Sequence, residues 1–357
     1  MSLENGLYIH IPFCRRKCDY CAFYSEESSS VPDSYLDALI REMEEKGGDA
    51  ADTLYVGGGT PSLLSCSQIM RLMAAAERFF PGTRREVTME VNPEDISPQK
   101  LSCLKEAGFN RLSVGVQSFS EKKRRYLGRR SVSDVEERLL LAREAFDNLS
   151  VDLIFGIPGE DVREEGEALG RIDPDHISWY DLKVEEGTPL KKRIDRGEAA
   201  EAGSDEEAES YAKIVTELET RGYRRYEISN FARPGYESLH NLKYWHFTPY
   251  IGLGAAASGY TGREMTRNPD DLSLYMSGEG SARQRLGRKE KRSIEVMMGL
   301  RLEEGITLTE AETGIMERSP GELRSFLKLE GRQLSLAPDT FFISNTLILG
   351  VLERLGL

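Results

Sequence analysis

The chain predicts an α/β fold in which parallel strands, wrapped by helices, form an open or partial barrel, followed by a small, mainly helical C-terminal domain. The first observation behind this reading is the alternation, from Leu7 to Ile228, of short β-branched or apolar runs with stretches of helical period. The second is a loop dense in reactive side chains directly after the first strand, at the end where such barrels keep their functional groups. The third is a polar stretch rich in Gly, Arg, Lys and Asp from Thr261 to Arg292, after which a new apolar pattern begins at Ser293.

Taken in order, strands are predicted over residues 7–11, 53–56, 86–91, 111–116, 151–155, 176–182 and 226–228. Between them, apolar residues recur at helical spacing over 34–46, 67–79 and 133–146. The Glu-, Ala- and Asp-rich segment 197–210 reads as an exposed loop leading into a helix over 205–221. No internal repeat is evident. The domain division that follows is 1–262 for the barrel, 263–292 for a linker and 293–357 for the C-terminal domain. Within the tail, helices are expected over 293–301, 309–317, 320–328 and 344–355, with a short hairpin over 334–342, a helical or winged-helix-like module.

Cys14, Cys18 and Cys21 fall within eight consecutive residues of the run Phe13-Cys-Arg-Arg-Lys-Cys-Asp-Tyr-Cys21. Three thiolates on one short loop can each take one iron of a cubane 4Fe-4S cluster, leaving the fourth iron open to another ligand. Arg15, Arg16 and Lys17 offset the negative charge, and Phe13, Tyr20 and Phe23 restrict water. A disulfide staple would leave one thiol over, and no secretory segment implies an oxidising compartment. A zinc site with His10 as fourth ligand would lack the second, separated ligand pair such sites bring. Cys66 and Cys103 stand singly in helical sequence, as small buried hydrophobes do.

In Tyr55-Val-Gly-Gly-Gly-Thr-Pro-Ser62, three glycines after an apolar strand let main chain approach a ligand that side chains would exclude. No Gly-Lys-Ser/Thr follows, so this is not a phosphate-binding P-loop. Polar residues at the strand ends complete the set. Val87, Met89 and Val91 alternate with Thr88 and Glu90, which turns Glu90 into the barrel. Gln117 ends the next strand in the same sense, and Asp152 stands among Val151, Leu153 and Ile154, where it must satisfy backbone or bind a ligand.

Composition excludes other classes. With 357 residues, 39% hydrophobic and 30% charged, the chain is expected to be an ordinary soluble globular protein. A net charge of -13 argues against sequence-independent nucleic-acid binding. One basic run, 122–125, with Arg129 and Arg130 nearby, reads either as an anion contact or as a solvated helix face. The opening Met-Ser-Leu-Glu-Asn-Gly lacks a basic segment followed by an apolar one, and no window reaches the ~18 apolar residues of a membrane span, so a cytoplasmic location is expected.

Together these motifs resemble the radical S-adenosylmethionine (SAM) enzymes, and within them the oxygen-independent coproporphyrinogen III oxidase group with its heme-chaperone branch. The resemblance spans nearly the whole chain. It is carried by Tyr8-Ile-His-Ile-Pro-Phe-Cys14, Gly57-Gly-Gly-Thr-Pro61, Glu90-Val-Asn-Pro93, Leu112-Ser-Val-Gly-Val-Gln-Ser-Phe119, Leu127-Gly-Arg129, Asp152-Leu-Ile-Phe-Gly-Ile-Pro-Gly159, Tyr226-Glu-Ile-Ser-Asn-Phe231 and His240-Asn-Leu-Lys-Tyr-Trp245. It implies a partial TIM-like (β/α)6 barrel, a 4Fe-4S cluster on Cys14, Cys18 and Cys21, and SAM chelating the open iron. It further implies SAM contacts from Tyr8, Tyr20, Gly59, Thr60, Glu90, Gln117, Arg129 and Asp152, with reductive cleavage of SAM as the family chemistry.

Two departures point to the chaperone branch. The oxidases carry a further cysteine two positions after the third cluster ligand, where this chain has Phe23, and an N-terminal extension for which the seven residues before Tyr8 leave no room. Proteins of that branch bind heme and pass it to hemoproteins such as respiratory oxidases; the alternative is coproporphyrinogen oxidation or other radical chemistry in porphyrin metabolism. The expected partners are SAM, heme or another porphyrin, and recipient hemoproteins. His240 is the candidate heme contact, since neutral imidazole ligates iron and Tyr244 and Trp245 can flank a porphyrin. His10, His176 and His246 are the other histidines, and Ser258 stands where a histidine is expected.

Overall fold

The alternation of side chains along the strands sets the architecture of this computed structural model, which describes residues 5–129, 132–319 and 321–357. Strand β1 (Asn5–Ile11) buries Leu7, Ile9 and Ile11 on its outer face, while Tyr8 and His10 face inward. The same division holds in β2 (Ala51–Gly58), β3 (Glu86–Val91), β4 (Arg111–Gln117), β5 (Leu149–Phe155) and β6 (His176–Asp181). Leu54, Val56, Met89, Leu112, Val114, Val151, Leu153 and Ile177 form an aliphatic layer against the helices. Tyr55, Glu90, Ser113, Asp152 and Ser178 occupy the inner face; Asp152 and Ser178 are paired at one level, and Ser113, paired with Ser150 one inward step below, reaches Asp152 with its hydroxyl.

Crossover helices join these strands: α1 (Asp33–Lys46), α2 (Cys66–Phe79), α3 (Pro98–Glu106), α4 (Glu121–Tyr126) with α5 (Val135–Ala145), and α6 (Arg163–Ile172). Helix α2 starts where it does because Ser65 and Gln68 cap each other: Gln68 N–H donates to Ser65 Oγ at 3.3 Å and Ser65 N–H donates to Gln68 Oε1 at 2.9 Å. Its Ile69, Leu72, Met73 and Ala76 then present one apolar stripe to the sheet. After β6 come α7 (Pro189–Asp195), α8 (Ser204–Thr220), β7 (Arg224–Arg225), β8 (Asn230–Ala232), α9 (Leu239–Trp245), β9 (Tyr250–Leu253), β10 (Ser258–Tyr260), β11 (Glu264–Arg267), α10 (Leu272–Met276) and β12 (Ala282–Arg285). The strands form one 12-stranded sheet in the order β12-β11-β10-β9-β1-β2-β3-β4-β5-β6-β8-β7. β9 pairs with β1 in parallel, so seven strands run parallel and the flanking ones antiparallel, an open barrel.

Three sequence expectations differ from the structure. Residues 226–228 do not form a strand: the Glu227 carboxylate accepts from Ser229 N–H at 3.3 Å, which turns the chain, and β7 and β8 pair on either side. The stretch 263–292, expected as a linker, carries β11, α10 and β12, with β11 and β12 extending the main sheet. The hairpin expected over 334–342 lies earlier, as β14 (Leu327–Glu330) and β15 (Gln333–Leu336) turning at the left-handed Gly331, so the helix expected over 320–328 is only α13 (Gly321–Ser325). Pro320, at its start, lies outside the described residues.

The tail consists of α11 (Arg288–Gly299), β13 (Ile306–Thr307), α12 (Glu310–Glu317), α13, the β14–β15 hairpin and α14 (Ser344–Leu355), with β15 central in a three-stranded sheet. Val296, Leu300, Leu308, Met316, Leu334, Ile348 and Val351 make its own core. Among the described residues no helix is long and apolar enough to cross a membrane. Leu112 is fully buried between strand and helices, so Leu112→Ala is expected to lower stability by about 2–5 kcal/mol, read from the urea midpoint and slope.

Candidate functional site

The cysteine loop leaves β1 without regular structure beyond a two-residue pairing of Phe13–Cys14 with Glu26–Glu27, and it is held by polar ties. Arg15 reaches Asp95 at 2.5 Å, and Lys17 N–H donates to Glu27 Oε1 at 3.1 Å. Asp19 is fixed from three sides: its N–H donates to Leu127 O at 3.1 Å, its carbonyl accepts from Leu190 N–H at 2.8 Å, and its carboxylate meets Arg193 at 3.0 Å. Gly128, at φ +68°, leaves the space Asp19 fills, since a Cβ there would lie 2.2 Å from Asp19 Cγ.

The loop covers the C-terminal ends of β2 to β6 and encloses a cavity of about 610 Å³. Cys14, Cys18, Cys21, Tyr20, Gly59, Thr60, Glu90, Gln117, Arg129 and Asp152 all line it, so the structure brings together the cysteines and most of the residues singled out in the sequence. Thr60 Oγ1 donates to Cys14 Sγ at 3.5 Å and accepts from Asn92 Nδ2 at 3.2 Å. Gly59 is required here because a Cβ would stand 2.7 Å from Phe13 O and 3.0 Å from Cys14 Sγ. Arg129 donates to Asn92 Oδ1 at 2.8 Å, to Gly115 O and, at 3.9 Å, to Cys18 Sγ. Gln117 sits at φ +66°, a strained conformation for a residue with a Cβ, at a register shift that ends β4 in the cavity wall.

Glu90 accepts from Tyr55 OH and from Gly58 N–H, both at 2.9 Å. Burial, and then the nearby Asp152, raise its carboxyl to about 7. Asp152 takes the Ser113 hydroxyl at 3.0 Å and is raised by burial. Burial also raises the Cys18 and Cys21 thiols, with Arg129 opposing it at Cys18. Among the described residues no group of three or more His, Cys, Asp or Glu gathers tightly enough to hold a single metal ion. A cubane asks only that each thiolate reach its own iron, so the donor set fits a cluster.

Tyr8 and His240 are not in the cavity wall. Tyr8 lies deeper, its hydroxyl 2.8 Å from His10 Nδ1 and its ring stacked on Tyr55. His240 is fully buried on α9, with Nδ1 2.9 Å from Thr53 Oγ1 and Nε2 2.8 Å from Tyr244 OH, and its ring stacked on Tyr55. Burial, with Lys243 and Arg111 nearby, lowers its imidazole to about 3. Both ring nitrogens are engaged here, so ligation of an iron by His240 would require one of these bonds to be given up; in this arrangement His240 forms part of the barrel floor. His176 is likewise spent on Ser150 and Tyr226, each at 2.8 Å, and His246 stands outside, 3.6 Å from Glu304. Ser258 lies on β10, opposite Arg267. In the basic run, Lys123 pairs with Glu165 at 2.8 Å and Arg124 donates to the carbonyls of Ser118 and Phe119, so those two charges are internal ties. Arg130 lies outside the described residues.

Sequence reasoning missed Tyr55, Asn92, Arg111, Ser113, Ser178 and Tyr180 as lining residues. The signal for Tyr55 and Ser113 was their place between apolar neighbours in a strand, the same signal that marked Glu90.

An open parallel barrel with a three-cysteine loop over its strand ends is the architecture of the radical SAM proteins, and the Radical SAM superfamily model matches residues 8–172. Over the whole fold, the coproporphyrinogen III oxidase of Escherichia coli, a radical SAM enzyme, superposes with a TM-score of 0.82 at 22% identity, covering 98% of this chain and 90% of that one. Among curated relatives, the heme chaperone HemW of Lactococcus lactis is 34% identical over 94% of this chain and 89% of its own length. HemW of Bacillus subtilis is 39% identical over 76% of this chain and 75% of its own. The mitochondrial radical S-adenosyl methionine domain-containing protein 1 of Mus musculus is 34% identical over 86% and 75%. The chain belongs to the HemW heme chaperone family of radical SAM proteins.

Gly128→Ala is expected to displace Asp19 and to cut iron and sulfide retained after anaerobic reconstitution by roughly half or more. The comparison is Gly280→Ala, which has open space around it and should retain both. For Glu90, a carboxyl raised in the folded state stabilises fully at low pH and loses that contribution as pH rises through about 7. Between about pH 5 and about pH 7.5, the denaturation midpoint of the metal-free wild type should therefore fall relative to Glu90→Gln.

Proposed function

We propose that this protein carries a 4Fe-4S cluster on Cys14, Cys18 and Cys21, binds SAM across the strand ends, and takes up heme in the cytoplasm for delivery to recipient hemoproteins. The observation that carries this reading is the convergence of three thiols, a glycine loop, Arg129, Glu90 and Asp152 on one cavity in a chain of the heme chaperone family. When bound, the cluster supplies an open iron and an electron for SAM chemistry. Gly59 and Thr60 offer main chain and a hydroxyl to the ligand, and Arg129 presents a fixed guanidinium between the cluster loop and β4. Glu90, Gln117, Asp152 and Tyr20 complete the SAM contacts, while Tyr8 supports them from below through Tyr55 and His10.

Heme is assigned to the mouth of the same cavity. Phe23 lines it and is 73% exposed, and Tyr180 across from the loop is 42% exposed. Two exposed rings suit the face of a flat apolar macrocycle. Phe23 also stands where the oxidases carry a further cysteine, which favours a carrier over coproporphyrinogen oxidation.

Adding heme to anaerobically reconstituted protein should give a Soret band, and mixing with an apo-hemoprotein should move that band to the recipient. Phe23→Ala with Tyr180→Ala should weaken heme binding by roughly tenfold or more, while His240→Ala should leave the Soret position unchanged and lower the melting temperature. Appearance of protoporphyrinogen on incubation with SAM, reductant and coproporphyrinogen would overturn the proposal in favour of the oxidase reading.

A further inference from the structure

Cys66 and Cys103, which stand singly in the sequence, meet in the folded chain. Cys66 is the first residue of α2 and is exposed; Cys103 lies in the middle of α3 and is 7% exposed. Both line one groove on the outer face of the barrel, together with Met70, Pro98, Gln99, Ser102 and Glu106. The two side chains face each other across this groove, close enough for Cys66 to perturb the Cys103 thiol. The two helices are also held in register: Lys100 of α3 donates from Nζ to the carbonyls of Ser62 at 3.0 Å and Leu64 at 2.5 Å, on the turn that opens α2. Neither cysteine belongs to the cavity under the cluster loop.

We propose that Cys66 and Cys103 form a thiol–disulfide exchange site that takes low-molecular-weight disulfides and closes to an intramolecular disulfide between α2 and α3. Cys66 is the sulfur that solvent reaches, and its thiolate attacks one sulfur of the incoming disulfide, forming a mixed disulfide and releasing one thiolate. Cys103, deprotonated, attacks Cys66 Sγ and expels the second thiolate. Two protein thiols are oxidised, the small disulfide is reduced to two thiols, and the protons lost by the cysteines end on the departing thiolates. Burial, reinforced by the contact with Cys66, pushes the Cys103 thiol up to about 12. It therefore resolves the mixed disulfide and does not initiate the exchange. The staple would form next to the Thr60–Leu64 turn, whose Thr60 contacts Cys14, so the oxidised pair would tie down the segment that backs the cluster loop.

The test uses the full chain with its cluster reconstituted anaerobically. The protein is incubated with glutathione disulfide, quenched in acid, alkylated and digested for mass spectrometry. Wild type should yield a peptide pair crosslinked through Cys66 and Cys103, with two fewer alkylated thiols per chain. Cys103→Ser should stop at Cys66 carrying one glutathione, and Cys66→Ser should leave Cys103 unmodified. Wild type ending with glutathione on Cys66 and an alkylated Cys103, with no crosslink, would overturn the proposal without reliance on either variant.

Discussion

The cysteine loop has little secondary structure of its own, and the rest of the site depends on the polar ties that seat it over the strand ends. Asp19 stands between Cys18 and Cys21 and is gripped by the main chain of Leu127 and Leu190 and by the Arg193 guanidinium. Arg15, one residue after Cys14, is locked to Asp95, which also takes the Ser62 hydroxyl at 2.6 Å. The loop is thus bound at one end to the turn after β3, itself tied to the turn after β2 through Ser62, and at the other to α7 and the segment after α4. A loop held at both ends presents its sulfurs without paying ordering entropy when a cofactor arrives.

Beneath it, the barrel interior is a buried polar network in place of the packed aliphatic layers common in parallel barrels. Tyr8, His10, Tyr55, Glu90, Ser113, Asp152, His176 and His240 face inward, linked by hydroxyl, imidazole and carboxylate hydrogen bonds. Low local polarity strengthens each such bond and makes an unpaired partner costly, so the network fixes the position of Glu90 and Asp152 at the cavity floor. Glu86 closes it from below by accepting from the N–H groups of Leu239 and His240, at 2.9 and 3.0 Å, at the start of α9. The His240–Trp245 segment that resembles the family thus packs under the site through His240, while its Asn241 lines the cavity.

Much of this was legible in the sequence because it follows from local rules. Two-residue alternation in 86–91 turned Glu90 inward, and the cysteine spacing marked out the loop that the structure seats over the strand ends. What was not legible depends on contacts between distant segments. His240 and Thr53 are 187 residues apart, and nothing local says that α9 tucks under β2. Cys66 and Cys103 read as unrelated until α2 and α3 pack side by side. The strand expected at 226–228 failed because a side chain, Glu227, competes for the backbone N–H of Ser229. The polar stretch 263–292 looked like a linker because edge strands facing solvent carry few apolar residues.

The central claim is that three thiolates hold a cubane and leave one iron open to SAM. Electron paramagnetic resonance of the reduced, anaerobically reconstituted protein, recorded with and without SAM beside iron and sulfide analysis, tests it most directly. The account predicts about four irons and four sulfides per chain and a cluster signal whose g values shift when SAM is added. Zinc in place of iron, or a cluster signal indifferent to saturating SAM, would contradict it.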